Sequence, residues 1–185
     1  QVPIRAGENV IVVLVEDAAQ LAKVKAKRDQ LPLLKAIVMM RGATATGTDV
    51  LTWDDFMARG ESVPEATLDA RIDAIEQSEL ATLIYTSGTT GPPKGVMLSH
   101  ENLSWTSRTL IDVGGGIEGE TTLSYLPLSH IAEQMATIHM AASQGSTVYY
   151  AESIEKIADG IKECRPTVFF GVPRIWEKFH AALSG

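Results

Sequence analysis

Short apolar runs alternate with segments of helical periodicity along most of the chain. Before residue 50, apolar runs at residues 9–16 and 35–40 flank a helical pattern at 17–29 that Asp17 can cap. After residue 80, apolar runs lie at residues 81–85, 96–98, 121–126, 147–150 and 167–170, and helical patterns lie at 102–113, 131–143, 154–164 and 174–183. This alternation predicts an α/β fold with a mostly parallel sheet and helices on both faces.

An acidic stretch separates the first apolar runs from the rest. Residues 51–80 hold eight acidic and two basic side chains, and no run among them has the length and apolarity of a central strand. We therefore expect three parts: a strand–helix–strand unit at 1–50, an acidic connector at 51–80, and a larger α/β portion at 81–185.

Composition limits the classes of function. The 185 residues are 45% hydrophobic and 21% charged, which fits one domain or a large piece of one. The net charge of −7 gives no broad cationic surface for a nucleic acid. A single cysteine, Cys164, rules out a disulfide within the chain, and no apolar run reaches the length of a membrane span. We expect a cytoplasmic protein without a nucleic-acid partner or a transmembrane segment.

Residues 85–95, Tyr-Thr-Ser-Gly-Thr-Thr-Gly-Pro-Pro-Lys-Gly, carry the candidate chemistry. Glycines let backbone N–H groups approach an anion, hydroxyls donate to its oxygens, and Lys94 adds a compact positive charge. A strand pattern follows the lysine, so the segment is not a Walker loop, which opens a helix. Three readings stay open from the residues alone: an enzyme that uses ATP, a stand-alone ATP-binding module or NTPase, and a structural α/β domain with a polar turn.

The same segment, continued to residue 100, resembles the signature motif of the adenylate-forming superfamily, which includes acyl-CoA synthetases, luciferases and peptide-synthetase adenylation domains. In that family the loop holds the β- and γ-phosphates of ATP. The resemblance therefore implies that the ATP-binding residues are Thr86, Ser87, Gly88, Thr89, Thr90, Gly91 and Lys94. It also implies a catalytic role for Lys94 and contact of Thr86 with Mg²⁺.

A second motif, Tyr-Leu-Pro-Leu-Ser-His at residues 125–130, is similar to the next family motif, whose histidine lies near the carboxyl group of the acyl substrate. His130 is thus a candidate catalytic residue of the acyl site. Without the resemblance, a histidine that caps the following helix is the simpler interpretation. Residues 129–134 and 171–179 are similar to long-chain fatty acyl-CoA synthetases of the bubblegum type.

The resemblance implies a two-step ligase reaction with ATP, Mg²⁺, coenzyme A and a fatty acid. It also implies parts that this chain does not contain: the adenine-binding and ribose-binding motifs, and a C-terminal domain with a catalytic lysine. We therefore expect an internal fragment of the N-terminal domain that is inactive alone and self-associates through uncovered surfaces. Peripheral membrane association is compatible with an enzyme of lipids, although no amphipathic stretch is basic enough to argue for it.

Overall fold

The computed structural model describes residues 11–42, 49–86, 93–116 and 118–184. The chain divides into two compact units, Gln1–Ile75 and Glu76–Gly185. Among the described residues, no helix combines the length and the apolar composition that crossing a membrane requires.

The first unit contains a three-stranded parallel sheet. Its central strand β2 (Leu34–Met39) lies between β1 (Ile11–Val15) and β3 (Val50–Thr52), and helix α1 (Ala18–Lys25) connects β1 to β2. The side chain of Asp17 caps α1 by accepting the Gln20 N–H at 2.9 Å, which confirms the predicted helix start. The buried apolar core comprises Val15, Leu21, Leu34, Ile37, Met39 and Val50.

Two helices follow the edge strand β3 within the acidic stretch. They are α2 (Trp53–Glu61) and α3 (Glu65–Asp73). Thr52 and Asp55 form a capping box that starts α2, with the Asp55 N–H donating to the Thr52 hydroxyl at 3.0 Å. Because β3 lies at the sheet edge, the acidic stretch contains no central strand, as its sequence predicts.

The second unit contains one antiparallel and one parallel strand pair. Strands β4 (Leu80–Thr86) and β5 (Lys94–Ser99) form a hairpin, and β6 (Thr121–Ser124) runs parallel to β7 (Thr147–Tyr150). Helix α4 (His100–Gly114) follows β5 directly. Three of the four strand pairs among the described residues are parallel, which confirms the α/β class and the mostly parallel pairing.

One continuous helix, here called the crossover helix (residues 131–144), connects β6 to β7. It consists of α5 (Ile131–Gln134), a π-helical segment (Met135–Met140) and α6 (Ala141–Gln144). Its Glu133 contacts Ser124 of β6.

Helices lie on both faces of β6. Leu123 packs with Ile157 of α7 (Ile157–Cys164) and Ile175 of α8 (Pro173–Ser184). Since adjacent strand residues point to opposite faces, Leu123 faces these helices and Ser124 faces the crossover helix. The predicted covering of the sheet by helices on two sides is confirmed here.

The strand predicted at residues 167–170 is not formed. Thr167 and Val168 run beside β6, but both of their N–H groups donate to the Thr121 carbonyl, at 2.9 and 3.2 Å. A regular ladder uses a different carbonyl for each donor, so this shared acceptor leaves the segment irregular. Its apolar side chains explain the wrong prediction, because Phe169 packs against the β6 core as a strand residue would.

Candidate active site

Thr86 and Lys94 lie opposite each other at the loop end of the β4–β5 hairpin. Thr86 is the last residue of β4, Lys94 is the first of β5, and the strand register pairs them. Directly opposed residues of an antiparallel pair project to the same face, with their Cβ atoms about 5 Å apart. Both residues are exposed. A hydroxyl and an ammonium group are therefore placed where both can contact one polyanion.

Tyr85 and Gly95 support the opposite face of the hairpin end. They form the neighbouring pair in the register. A Cβ atom at position 95 would lie 3.4 Å from Cε1 and Cζ of the Tyr85 ring. That distance is ordinary van der Waals contact, so the Tyr85 ring packs over the strand at position 95 without requiring glycine there.

The other predicted phosphate ligands lie outside the described residues: Ser87, Gly88, Thr89, Thr90 and Gly91. The two described ends of the loop fit the predicted chemistry, because hydroxyl and ammonium groups both donate to phosphate oxygens. Hydroxyl oxygen is also a ligand type that Mg²⁺ accepts beside substrate phosphates. Within the described ranges, no group of three or more His, Cys, Asp or Glu side chains is placed to hold a metal ion.

His130 is the N-cap residue of α5, and its backbone is extended, with φ of −92° and ψ of 126°. His130 thus occupies the capping position of the helix, but its side chain makes no capping hydrogen bond. The residue is exposed. The structure therefore leaves the imidazole at the surface of the second unit, available to contact a ligand.

The segment before His130 is fixed by hydrogen bonds at both of its ends. The His130 N–H donates to the Pro127 carbonyl at 3.0 Å, which closes a turn. The Gln134 side-chain amide donates to the Leu128 carbonyl at 2.8 Å. At the other end, the Tyr125 hydroxyl accepts a hydrogen bond from the backbone at 3.0 Å. Hydrogen bonds from neighbouring residues therefore hold the segment that carries His130 in place.

The motifs at residues 125–130 and 171–179 contact each other. The backbone donor to Tyr125 is the N–H of Val172. The Tyr125 ring also stacks on Phe169 with centroids 5.6 Å apart, and Phe169 meets Trp176 of α8 edge-on at 5.7 Å. Two segments that are far apart in sequence therefore form one packed aromatic cluster.

An apolar cavity of about 510 Å³ lies along the crossover helix. It starts beside Ile131, the residue after His130, and extends to Gln144 at the end of the helix. Most of its walls are apolar, and they include Leu110, Ile131, Ala132, Met135, Ala136, Met140, Val168, Phe169 and Phe170. Such a cavity accommodates an extended apolar ligand.

A polar cavity of about 490 Å³ lies between β4, α4 and the crossover helix. Thr82 of β4 and Gln134 of the crossover helix both line it, so the strand that precedes the phosphate loop and the helix that follows His130 border a common space. His100 and His139 line it as well. Burial lowers the pKa of His139, and the nearby positive charge of His100 lowers it further.

The residues themselves did not indicate Glu133 as part of the site. Its side chain is 2% exposed and accepts hydrogen bonds from Ser124 and Thr137. Glu133 and Thr137 are four residues apart, so they lie on one face of the helix. Two polar residues at this spacing within an apolar helical pattern are the signal from which a buried network can be suspected.

Sequence comparison places the chain in a known family. It matches the AMP-binding enzyme model over residues 4–184. It is 43% identical over 181 residues to the human long-chain-fatty-acid–CoA ligase ACSBG2. The matched stretch covers 95% of this chain and 27% of that protein. The chain is 40% identical over 175 residues to human ACSBG1, with coverage of 90% and 24%. The chain thus spans about a quarter of the length of the curated relatives it matches.

Solved structures share the fold at lower sequence identity. ATP-bound MatB from Rhodopseudomonas palustris has a TM-score of 0.64 and 24% identity, covering 90% of this chain and 30% of that one. A luciferase-like enzyme from the mealworm Zophobas morio has a TM-score of 0.63 and 21% identity, with coverage of 88% and 36%. The family match includes the β4–β5 hairpin and His130, and the two curated relatives named above are ligases of the bubblegum type. This chain belongs to the AMP-binding enzyme family.

Proposed function

We propose that this chain supplies the phosphate-binding hairpin and the acyl-binding wall of an AMP-forming long-chain fatty acyl-CoA ligase. One observation carries the proposal. Thr86 and Lys94 are paired at the mouth of a loop rich in glycine and hydroxyl groups, in a chain 43% identical to a human long-chain-fatty-acid–CoA ligase.

In the proposed first step, a carboxylate oxygen of the fatty acid attacks the α-phosphorus of ATP. The bond between the α-phosphorus and its bridging oxygen breaks, and pyrophosphate leaves with the electron pair. Negative charge grows on this leaving group, so donors placed around it stabilise the transition state more than the ground state. Lys94 and the loop hydroxyls have this role, and Thr86 is the candidate ligand for Mg²⁺, which would neutralise further phosphate charge.

In the proposed second step, the thiolate of coenzyme A attacks the acyl carbon of the acyl-adenylate. A carbon–sulfur bond forms, the carbon–oxygen bond to the phosphate breaks, and AMP leaves. The coenzyme A site lies beyond the features assigned above.

The fatty acid is assigned to the apolar cavity along the crossover helix. Its carboxyl group is assigned to the end beside Ile131, the residue after His130, and its chain extends towards Met140. Each methylene group that moves from water into such a cavity contributes about 0.8 kcal/mol. This favours long apolar substrates over short polar ones.

We further propose that the 185 residues alone do not complete the reaction, because they span about a quarter of their relatives' length. A cytoplasmic location is part of the proposal. An ATP-dependent enzyme whose single cysteine, Cys164, is free fits a reducing compartment.

The test is fatty-acid-dependent exchange of pyrophosphate into ATP by the protein at its natural length. Lys94→Ala is expected to lower the exchange rate about 10²- to 10³-fold, as loss of one preorganised electrostatic contact does. Lys162→Ala, at an exposed position of α7, is the matched control and should leave the rate unchanged.

The alternatives give different results in the same assay. ATP hydrolysis that is independent of fatty acid would support a stand-alone nucleotide-binding module or NTPase. Absence of any ATP binding would support a structural α/β domain. Unchanged exchange in Lys94→Ala would contradict the assigned role of Lys94.

A further inference from the structure

Glu133 is a buried carboxylate whose charge is held by two hydroxyl groups. Its side chain is 2% exposed, and its Oε1 accepts hydrogen bonds from the hydroxyls of Ser124 at 2.6 Å and Thr137 at 2.8 Å. Hydroxyl-to-carboxylate bonds of this length are charge-assisted and stronger than neutral ones. No ion pair formed within the described ranges includes Glu133.

The hydrogen bonds of Glu133 link it both to the end of β6 and to His130, so they hold the two ends of the intervening segment. Ser124 is the last residue of β6, and Glu133 lies nine residues later in the first turn of the crossover helix. The Glu133 N–H donates to the His130 carbonyl at 3.1 Å. Through its side chain Glu133 is tied to the strand, and through its backbone it is tied to His130.

Gln134, the residue after Glu133, forms a hydrogen bond to the middle of the same segment. The Gln134 amide donates to the Leu128 carbonyl at 2.8 Å. On the other side, Thr137 belongs to the π-helical segment, a rare helix type found frequently at functional sites. Glu133 is therefore the residue at which the strand, the His130 segment and the π-helical segment meet.

Packing alone does not account for a carboxylate at this position. Burying a charge costs several kcal/mol before hydrogen bonds compensate, whereas an apolar side chain would join strand and helix without this cost. An apolar contact is non-directional, whereas hydrogen bonds to one carboxylate oxygen fix both distance and angle. The arrangement thus gives the His130 segment a defined orientation at an energetic cost.

We propose that Glu133 is a positioning residue that orients His130 towards the reacting carboxyl group of the acyl substrate. This inference rests on the proposed function, since it requires that His130 contacts the fatty acid. It goes beyond that function by assigning a role to a residue that does not itself touch the substrate.

The test is a double-mutant cycle of Glu133→Gln and His130→Ala, measured as fatty-acid-dependent ATP–pyrophosphate exchange by the protein at its natural length. Glu133→Gln is expected to lower kcat about 10- to 100-fold, the effect of a small misplacement of a reacting group. The KM for ATP should stay unchanged, because the phosphate-binding hairpin is a separate element. In the His130→Ala background, Glu133→Gln should cause no further loss, because the residue that it orients is gone.

Glu163→Gln is the matched control, since Glu163 is exposed on α7, and it should keep the wild-type kcat. If Glu133→Gln does not fold, as judged by thermal unfolding, Ser124→Ala replaces it in the cycle. That variant removes the 2.6 Å bond and leaves the carboxylate in place.

Equal losses from Glu133→Gln in both backgrounds would overturn the inference, as would an unchanged kcat in the single variant. These results differ from failure of the proposed function. If the wild-type protein showed no exchange, or if His130→Ala exchanged at the wild-type rate, the proposed function of the site would be wrong, and this inference with it.

Discussion

At the scale of single residues, the groups that we propose to contact ligands are exposed, and the group that we propose to position them is buried. Thr86, Lys94 and His130 are exposed. Glu133 is buried and satisfied by hydroxyl groups. Exposed donors exchange water for a ligand at low cost, whereas the buried carboxylate keeps a fixed geometry that water cannot disturb. Substitutions of the exposed residues are therefore expected to alter ligand contacts, whereas substitution of Glu133 is expected to alter the orientation of its neighbours.

His139 gives the second unit a dependence on pH that one substitution should remove. Burial, and then the charge of His100, lower the pKa of His139 in the folded protein, so the unfolded chain binds a proton more readily. The stability contributed by neutral His139 is therefore present above its ordinary pKa of about 6.5 and is lost as the pH falls through and below that value. His139→Gln should make the free energy of unfolding fall less steeply between pH 7 and pH 5, measured by chemical denaturation.

The control for this prediction is His180→Gln. His180 is exposed on α8, outside the polar cavity, and its replacement should leave the slope of stability against pH as in the wild type. No Asp, Glu, Lys or Arg is among the residues that line the cavity, so His100 is the charged neighbour there that affects His139. An unchanged slope in His139→Gln would contradict the prediction.

The sequence was sufficient to name candidate residues whose proposed roles depend on chemical type and spacing along the chain. Lys94 and His130 were identified from the letters around them, and the family match confirms the resemblance that identified them. Glu133 was not found, because its role depends on the approach of Ser124 from another element. Composition and periodicity do not report such contacts between elements.

At the scale of elements, the sequence predicted the existence of the strands and helices better than their direction and regularity. The apolar runs that became β4 and β5 carry no direction in themselves; the structure pairs these strands antiparallel, the arrangement that the short connection between Thr86 and Lys94 allows. The hydrophobic pattern also did not predict the π-helical segment Met135–Met140, because one extra residue in a turn barely changes helical periodicity. Both features depend on hydrogen bonds, which hydrophobic patterns do not encode.

The crossover helix should set the length of acyl chain that the enzyme accepts. Ala136 lines the apolar cavity midway along the helix, so Ala136→Phe places a ring in the assigned path of the chain. We expect kcat/KM for a long-chain fatty acid to fall at least tenfold, while that for a medium-chain acid changes little, since each excluded methylene forfeits about 0.8 kcal/mol. The measurement compares kcat/KM over a series of saturated acids.

Ala142→Phe is the matched control for this series. Ala142 belongs to the same helix but lines the polar cavity, so the same change of size is made on another face. Its chain-length preference should match that of the wild type. A parallel loss for long and medium chains in Ala136→Phe would contradict the assignment of the apolar cavity to the acyl chain.

At the scale of the whole molecule, the site is spread over one unit and serves a longer architecture. The hairpin, His130 and both cavities lie within residues 76–185. The curated ligases that match this chain are about four times longer, since it covers 27% of human ACSBG2. We therefore expect the proposed phosphate-binding and acyl-binding features to need residues from the remaining length to form a complete catalytic site.

Transplantation into human ACSBG2 tests this dependence directly. The 185-residue chain, put in place of the 181-residue stretch to which it is 43% identical, should restore fatty-acid-dependent ATP–pyrophosphate exchange to within about tenfold of the native ligase. The 185 residues alone should give no exchange above background, because they cover 27% of the ligase and we expect further contacts for ATP to come from the rest of it. Lys94→Ala in the chimera should lower the restored rate about 10²- to 10³-fold. Exchange catalysed by the isolated chain would contradict the proposed incompleteness, and an inactive but folded chimera would contradict the equivalence of the two segments.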